Sequence, residues 1–599
     1  MATSELVGRG RLDDDAGGEP GPTPTPAEPS RRRRWGWVAL GLVVLPLVVS
    51  ALYLRLWHDD HRSVGDLALT ELQTRDVGHN WIDLGPYSRD GWSHPGPALF
   101  YALAPLYRML GSVDINLSVA ALAINAAAVA GMALIARRRG GVPLMLITLV
   151  ALALTLRSLG PDHTRTAWNP WVTVLPYGLV LFLTWALACG ERWALPAAVV
   201  VGSAVAQTHV GYVALALPLV VIGAAWLVAA TPGGSRRRLV VPGLVALAAL
   251  AVMWFPPVLD QVRNDPGNLR YSAWWLREGR LAGQGTNSVA AGWDTVVSSQ
   301  WSMLPEWAFG TRPVPLSSEA ASRVDPRPAI LLPAVALAAW YLVRRRVPGS
   351  VQLVAVWLVA TAVAVGATAR TVGPIYAYRV DFTLPLGMVG GIIVAWAGWT
   401  ALTTRWPSLE RRAPLPGVAV LAAVAVLAGV SSVAHVRAGE PAARDADLMR
   451  RLLPEVVDRL PPGEGEVLVA GESFGGSIFR QGLVLGLEKA GIDAELPDGD
   501  LDAGRQRTSR GEGAVRARLV VATDVEIADL VDDGREPIAY AGHMSLEEVV
   551  ARAPAARALE DARERGDDRA FADTDAVRAA VIPNGSGVGV FLEVPASGS

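Results

Sequence analysis

Long uncharged apolar runs alternate with short arginine-rich segments along most of the chain. Residues 35–54 (WGWVALGLVVLPLVVSALYL) carry no charge, and about 20 helical residues suffice to cross a ~30 Å hydrocarbon core. The same length rule, with tolerance for tilt, predicts further spans at 115–136, 142–157, 170–189, 194–208, 211–230, 239–258, 328–343, 350–369, 381–403 and 414–435, about eleven in all. The stretch from Trp193 to Ala230 is too long for one crossing and is expected to fold back at His209–Tyr212.

The polar positions orient these spans. Arg31–Arg34 stand directly before the first run, behind a Pro-, Gly- and acid-rich stretch, so 1–34 reads as a disordered cytoplasmic N-terminus. The run is long and no small-residue cleavage site clearly follows it, so it reads as a retained helix rather than a signal peptide. With the N-terminus inside, the inner loops hold Arg137–Arg139, Arg192, Arg236–Arg238, Arg344–Arg346, and Arg405 with Arg411 and Arg412. Every inner loop is then basic, as short cytoplasmic loops are. An odd number of crossings puts everything after about residue 436 outside. The expected setting is a bacterial plasma membrane, crossed many times.

Composition agrees: 51% of the 599 residues are hydrophobic, 18% are charged and mean hydropathy is +0.31, too apolar for an ordinary soluble protein. A net charge of -2 argues against a nucleic-acid partner. The single cysteine, Cys189, excludes an internal disulfide framework and a cysteine-based zinc site. Read whole, the chain is a polytopic α-helical membrane protein, with a transmembrane domain at 35–435 and an outer α/β domain at 436–599.

Two outer loops accompany that domain, at 56–113 and 259–326. The second contains Trp274, Trp275, Trp293, Trp301 and Trp307, which suit either an interfacial belt or stacking on sugar and lipid surfaces. No fixed-period repeat is visible along the chain.

The first loop carries "GDLALTELQTRDVG" at 65–78. Leu67–Asp76 has helical composition, and Glu71 and Arg75, four residues apart, are free to pair on one face. Asp66 follows Gly65 and suits either a helix N-cap or a catalytic base. Asp76 reads as mostly solvated. "HPGPALFYALAPLYRMLG" opens at a proline break and continues as a short apolar helix suited to the interface. "WHDDH" at 57–61 has metal-ligand residue types, but consecutive residues do not converge on one ion without distorting the backbone.

An acidic residue soon after the first span, followed by a His-Pro that opens an apolar juxtamembrane helix, resembles the C-type (GT-C) glycosyltransferases. The likeness is to the branch of protein mannosyltransferases and aminoarabinose transferases. The resemblance implies a multi-span enzyme that uses a polyprenyl-phosphate sugar and transfers the sugar with inversion. It also implies an acidic base or metal-linked acid in the first outer loop, for which Asp66 is the match and Glu71 the second choice. His94-Pro95 matches the family's His-Pro-Pro segment, with Gly96 where a second proline is common, and the frequent adjacent Asp-Glu pair is here split between Asp66 and Glu71. No metal ligand is assigned; a divalent metal ion stays open as a cofactor.

Other outer-side residues extend the candidate site. "PDHTRTAWNP" at 161–170 offers Asp162, His163 and Arg165; "QTHVGY" offers Gln207 and His209; "ARTVGPIYAYRVD" offers Arg370, Tyr378, Arg379 and Asp381. A lipid phosphate needs cationic donors near the headgroup plane, and guanidinium binds phosphate oxygens in bidentate fashion. Arg379 is the first choice and Arg370 the second, although an arginine at a helix end also snorkels to water. His209 interrupts an apolar stretch and needs a polar partner or a cavity.

In the outer domain, Gly471-Glu472-Ser473-Phe474-Gly475 is a G-x-S-x-G in strand-turn-helix context. The region is too short for an α/β-hydrolase, and among histidines only His543 follows the serine. "ARLVVATD" and "GVGVFLEV" instead suggest a small domain of alternating strands and helices, which would cap the cavity or hold an acceptor glycan. The expected function is transfer of a sugar from a polyprenyl-phosphate donor to a cell-envelope glycan, glycolipid or protein acceptor at the extracytoplasmic face. The alternatives are a lipid-linked glycan transporter or flippase, and a non-catalytic scaffold that binds the envelope.

Overall fold

The computed structural model describes residues 29–57, 62–88, 91–278, 286–309, 331–409, 416–423, 426, 441–471, 473–497, 502–509, 514–564 and 587–593. Helix α1 (Pro29–Trp57) begins before the first apolar run. Residues 29–34, expected to be disordered, therefore form its opening turns, consistent with a proline at the start and arginines that favour helix. The first loop holds α2 (Gly65–Asp76) and α3 (Ala98–Met109). Then come α4 (Ile115–Arg165), α5 (Asn169–Val172), α6 (Val174–Ala188), α7 (Ala194–Thr208), α8 (Gly211–Ala230) and α9 (Val240–Arg263). They are followed by α10 (Asn268–Glu278), α11 (Val289–Phe309), α12 (Leu331–Arg344), α13 (Ser350–Ala369) and α14 (Thr383–Arg405).

Among the described residues, seven helices are long and apolar enough to cross a membrane, and Ala194–Thr208 and Leu332–Arg344 are shorter apolar helices. The 51-residue α4 merges two predicted spans, which separate at non-helical Gly140 and Gly141. The predicted span 414–435 falls mostly outside the described residues. The chain is a multi-pass membrane protein. One apolar core joins α1, α4, α6 and α14, through residues such as Val43, Leu149, Phe182 and Ile393. Val296 and Val297 of α11 belong to that core too, so part of the 259–326 stretch lies against the bundle.

The C-terminal domain is built from α15 (Pro441–Arg459), β1 (Glu466–Ala470), α16 (Phe474–Lys489), β2 (Ala494–Glu495) and β3 (Val515–Thr523). It continues with α17 (Val525–Asp532), β4 (Pro537–Gly542), α18 (Leu546–Glu564) and β5 (Gly587–Glu593). The sheet order is β2-β1-β3-β5-β4. β1 runs parallel to β2 and β3, whereas β5 is antiparallel to both β3 and β4. The expected small α/β domain is therefore present.

The join between the two parts positions the site. Ala68, Leu69 and Leu72 of α2 lie in the same apolar core as Met449, Phe479, Leu483 and Leu519 of the C-terminal domain. In contrast α3 packs Leu99, Leu103 and Tyr107 onto Leu117 and Ala121 of α4. The segment that holds α2 and α3 is thus divided between the membrane bundle and the C-terminal domain.

Candidate active site

Asp66 is the second residue of α2, whose N-cap is Val64, so the cap position expected for Asp66 falls two residues earlier. Nine of the twelve residues of α2 are buried, yet Asp66 is exposed. A carboxylate in the first turn is favoured by the helix dipole. Its Oδ2 accepts a hydrogen bond of 2.7 Å from Trp168 Nε1, and Asp66 lines a cleft shared with Thr70, Tyr87, Phe100, Asn169 and Asp502. Carboxylate, first loop, α3, α5 and C-terminal domain meet there.

Trp168 leads from Asp66 to the cationic residues. Its ring lies 5.2 Å from Tyr378 and 4.9 Å, edge-on, from Trp171. Tyr376 and Tyr378 stack at 6.0 Å. Arg379 covers both rings, at 5.2 and 5.8 Å, and its Nε donates to Tyr378 Oη at 3.2 Å. A short turn at Ala377–Val380 before α14 presents this set. His163 joins from the other side, stacked on Trp171 at 4.2 Å with Nε2 3.1 Å from Asp381 Oδ2.

His94 and His209 approach ring to ring at 4.7 Å. His94 Nδ1 accepts from Val210 N at 3.1 Å, and His209 Nδ1 accepts from Gly211 N at 3.2 Å. An Nδ1 that accepts a backbone N–H is unprotonated, so each ring is neutral with its proton on Nε2. Burial, then His209 and the positive Arg379, hold His94 well below its ordinary range; burial and Arg379 bring His209 down to about 3. Asn268 fixes the backbone of this segment, with Nδ2 donating to Ser93 O at 2.8 Å and Oδ1 accepting from Ser93 N at 2.9 Å. A Cβ at Gly96 would lie 2.6 Å from Gln207 Oε1 and 2.7 Å from Pro257 Cγ. A second proline in this segment therefore has no room.

The remaining candidates lie elsewhere. Glu71 does not pair with Arg75 as its spacing suggests. It is fully buried and takes the Lys489 ammonium, a 2.6 Å bond from Tyr107 Oη and a 2.8 Å bond from Ser63 Oγ. Burial and nearby Asp114 raise its carboxyl above the usual range, against the pull of Lys489. Asp76, expected to be solvated, is buried against Arg507 at 2.5 Å. Both differences share a cause: the cationic partners, Lys489 and Arg507, sit in the C-terminal domain, hundreds of residues away in sequence. Arg370 is exposed at the C-cap of α13, and no ring contact or ion pair among the described residues joins it to the Trp168–Arg379 set.

Residues 58–61 of the "WHDDH" segment lie outside the described residues. Among those described, no three His, Cys, Asp or Glu side chains cluster as a metal site. Among the described residues, the donors gathered around Asp66 do not make up a metal-ligand set. Ser473 of the G-x-S-x-G is the N-cap of α16: its Oγ accepts from Gly476 N at 2.9 Å and donates to Glu526 Oε2 at 2.6 Å. His543 instead lines a separate surface cleft with Arg450, Arg451 and Tyr540.

Sequence reading passed over Trp168, although the tryptophan stands in the quoted "TAWNP" immediately before a predicted span. It also missed Asp502 and Lys489, for which no local signal exists.

Most of the chain resembles a solved structure closely enough to define its fold. ArnT from Cupriavidus metallidurans, bound to undecaprenyl phosphate, matches with a TM-score of 0.51 and 16% identity over 84% of this chain and 96% of that one. The chain shares the fold of this ArnT. The apo state of the same ArnT is similar at a TM-score of 0.48 and 15% identity, over 85% of this chain and 96% of that one. The Archaeoglobus fulgidus oligosaccharyltransferase in complex with Zn and sulfate is similar at 0.39 and 12%, over 74% and 61%. No family model matches the sequence, and no curated protein matches it.

Proposed function

We propose that the protein is a membrane glycosyltransferase that moves a sugar from a polyprenyl-phosphate donor to a hydroxyl of a cell-envelope glycan, glycolipid or protein. The observation that carries this reading is the exposed Asp66 carboxylate, held by Trp168 and linked through Tyr378 to Arg379. A base and a phosphate-binding cation joined by an aromatic surface meet the needs of this transfer. That ArnT binds undecaprenyl phosphate on the same fold supports a lipid-phosphate donor.

In the proposed reaction, Asp66 accepts the proton of the acceptor hydroxyl as its oxygen bonds to the anomeric carbon. The bond from that carbon to the phosphate oxygen breaks, the sugar inverts, and polyprenyl phosphate leaves with the electron pair. Arg379 receives the growing phosphate charge, and the Nε2–H groups of the neutral imidazoles His94 and His209 supply further donors. Trp168 and Tyr378 offer flat faces to the sugar ring. Asp66 is preferred to Glu71 because a base must reach its substrate, and Glu71 is enclosed. The N-terminus would lie in the cytoplasm of a bacterium and the C-terminal domain outside, by the arginine pattern of the loops.

Linkage analysis of envelope glycan from a deletion strain, with quantitation of polyprenyl-phosphate sugars, tests the reading. A missing linkage with accumulated donor, both reversed by the wild-type chain, is the expected outcome. A missing linkage whose accumulated lipid-linked donor is retained on the inner leaflet would indicate a transporter instead.

A further inference from the structure

The membrane part and the C-terminal domain meet through side chains that charge chemistry does not leave buried by accident. Lys489, at the end of α16, bonds both Glu71 and Asp114. Arg507 forks between Asp76, at 2.5 and 3.1 Å, and Glu488, at 3.1 Å. Gln506 donates to Asp76 at 2.6 Å, and Gln73 donates to Ala503 O at 3.0 Å. Beyond α2, Arg505 pairs with Asp260 at 2.9 Å. Apolar packing adds to this: a Cβ at Gly482 of α16 would lie 3.0 Å from Val64 Cγ1 and 3.1 Å from Ser63 O.

These contacts share one helix. α2 offers Glu71, Gln73 and Asp76 to the outer domain's polar groups and Ala68, Leu69 and Leu72 to its core, while Asp66 at its start faces the cleft. We propose that the C-terminal domain is a positioning element of the active site: through Lys489 and Arg507 it sets the place of α2, and hence of the Asp66 carboxylate. Lys489 and Arg507 are positioning residues, not catalytic ones. The inference rests on Asp66 being the base. It gives the domain a part in the chemistry, in place of a detached cap or a glycan-binding module.

The reach of the effect follows from rigidity. A catalytic carboxylate must be held close to productive geometry, and α2 has twelve residues, too short to be stable as an isolated helix in water. Its order therefore comes from what it packs against. Loss of the Arg507 fork frees the C-terminal end of α2 and lets its N-terminal turn shift, without touching the Arg379 and His94 side of the site.

The test uses full-length protein in lipid nanodiscs and in membrane vesicles from the deletion strain, with Arg507→Gln, Arg507→Lys and Asp66→Asn beside the wild type. Hydrogen exchange reads the order of residues 65–76, binding of undecaprenyl phosphate reads the donor side, and the initial rate of forming the restored linkage reads transfer. For Arg507→Gln the expected results are at least tenfold faster exchange in 65–76 with α4 unchanged, undecaprenyl phosphate affinity within twofold, and at least a tenfold slower rate. Arg507→Lys, which keeps the charge and loses the fork, should recover part of both, and it carries the test if Arg507→Gln does not fold. Unchanged exchange in 65–76, an unchanged rate, or a rate that falls together with undecaprenyl phosphate affinity would each overturn the proposal. Full activity of Asp66→Asn would instead remove the base assignment on which it rests.

Discussion

Trp168 Nε1 donates a hydrogen bond of 2.7 Å to Asp66 Oδ2, tying the start of α2 to the start of α5. The bond orients a carboxylate that is otherwise exposed, and the same indole touches Tyr378 beside Arg379. Trp168→Phe keeps most of the ring and removes the donor. The bond is exposed and adds little to stability but holds the carboxylate in place, so the transfer rate should fall roughly tenfold or more, with protein level and melting temperature little changed. Initial rates in membrane vesicles check this; an unaltered rate would show that the bond does not matter to catalysis.

Arg379 should matter to the lipid phosphate. Arg379→Ala removes a guanidinium whose bonds to a phosphate contribute about 1.5–3 kcal/mol each, which corresponds to roughly 10–100-fold weaker undecaprenyl phosphate binding. Arg379→Lys should recover only part, because a lysine cannot bind in bidentate fashion. Arg370→Ala should change affinity less than twofold. Titration calorimetry in detergent separates the two arginines.

The neutral imidazoles predict an acid limit to stability. In the unfolded chain, histidine protonates near ~6.5, whereas in the fold His209 is held down to about 3 and His94 well below its usual range. Between these values the unfolded state binds more protons, so stability falls as pH falls, by at most ~1.4 kcal/mol per pH unit per imidazole. Thermal melts in detergent should drop between pH 7 and pH 5, and His209→Gln should flatten the slope. A pH-independent wild-type melt over that range would contradict the neutral assignment.

Ser473 is expected to be structural. As the N-cap of α16 it contributes ~1 kcal/mol, so Ser473→Ala should modestly destabilise the C-terminal domain and leave transfer intact. A fluorophosphonate probe should not label the protein; labelling lost in Ser473→Ala would revive a hydrolase.

What could be read from the sequence follows from the range of each signal. Apolar length and loop arginines act locally, so spans such as 170–189 and 211–230 match helices nearly to the residue. The helical character of Leu67–Asp76 and the helix after His94-Pro95 were legible for the same reason. The burial of Glu71 and Asp76 was not, because Lys489 and Arg507 lie more than 400 residues away in sequence and a carboxylate on a polar helix reads as solvated. Trp168 was hidden by its residue type: a tryptophan next to a span suits the interfacial belt equally well. Gly96 was noted only as a departure from Pro, and the steric cause needed Gln207 and Pro257 in place.

The most direct test of the central claim is the initial rate of linkage formation in deletion-strain membranes carrying Asp66→Asn, at expression and melting temperature matched to wild type. Asn keeps the size and removes the base, so the rate should fall by roughly 100-fold or more while undecaprenyl phosphate affinity stays within twofold. A rate equal to wild type would contradict Asp66 as the base and, with it, the reaction proposed for this site.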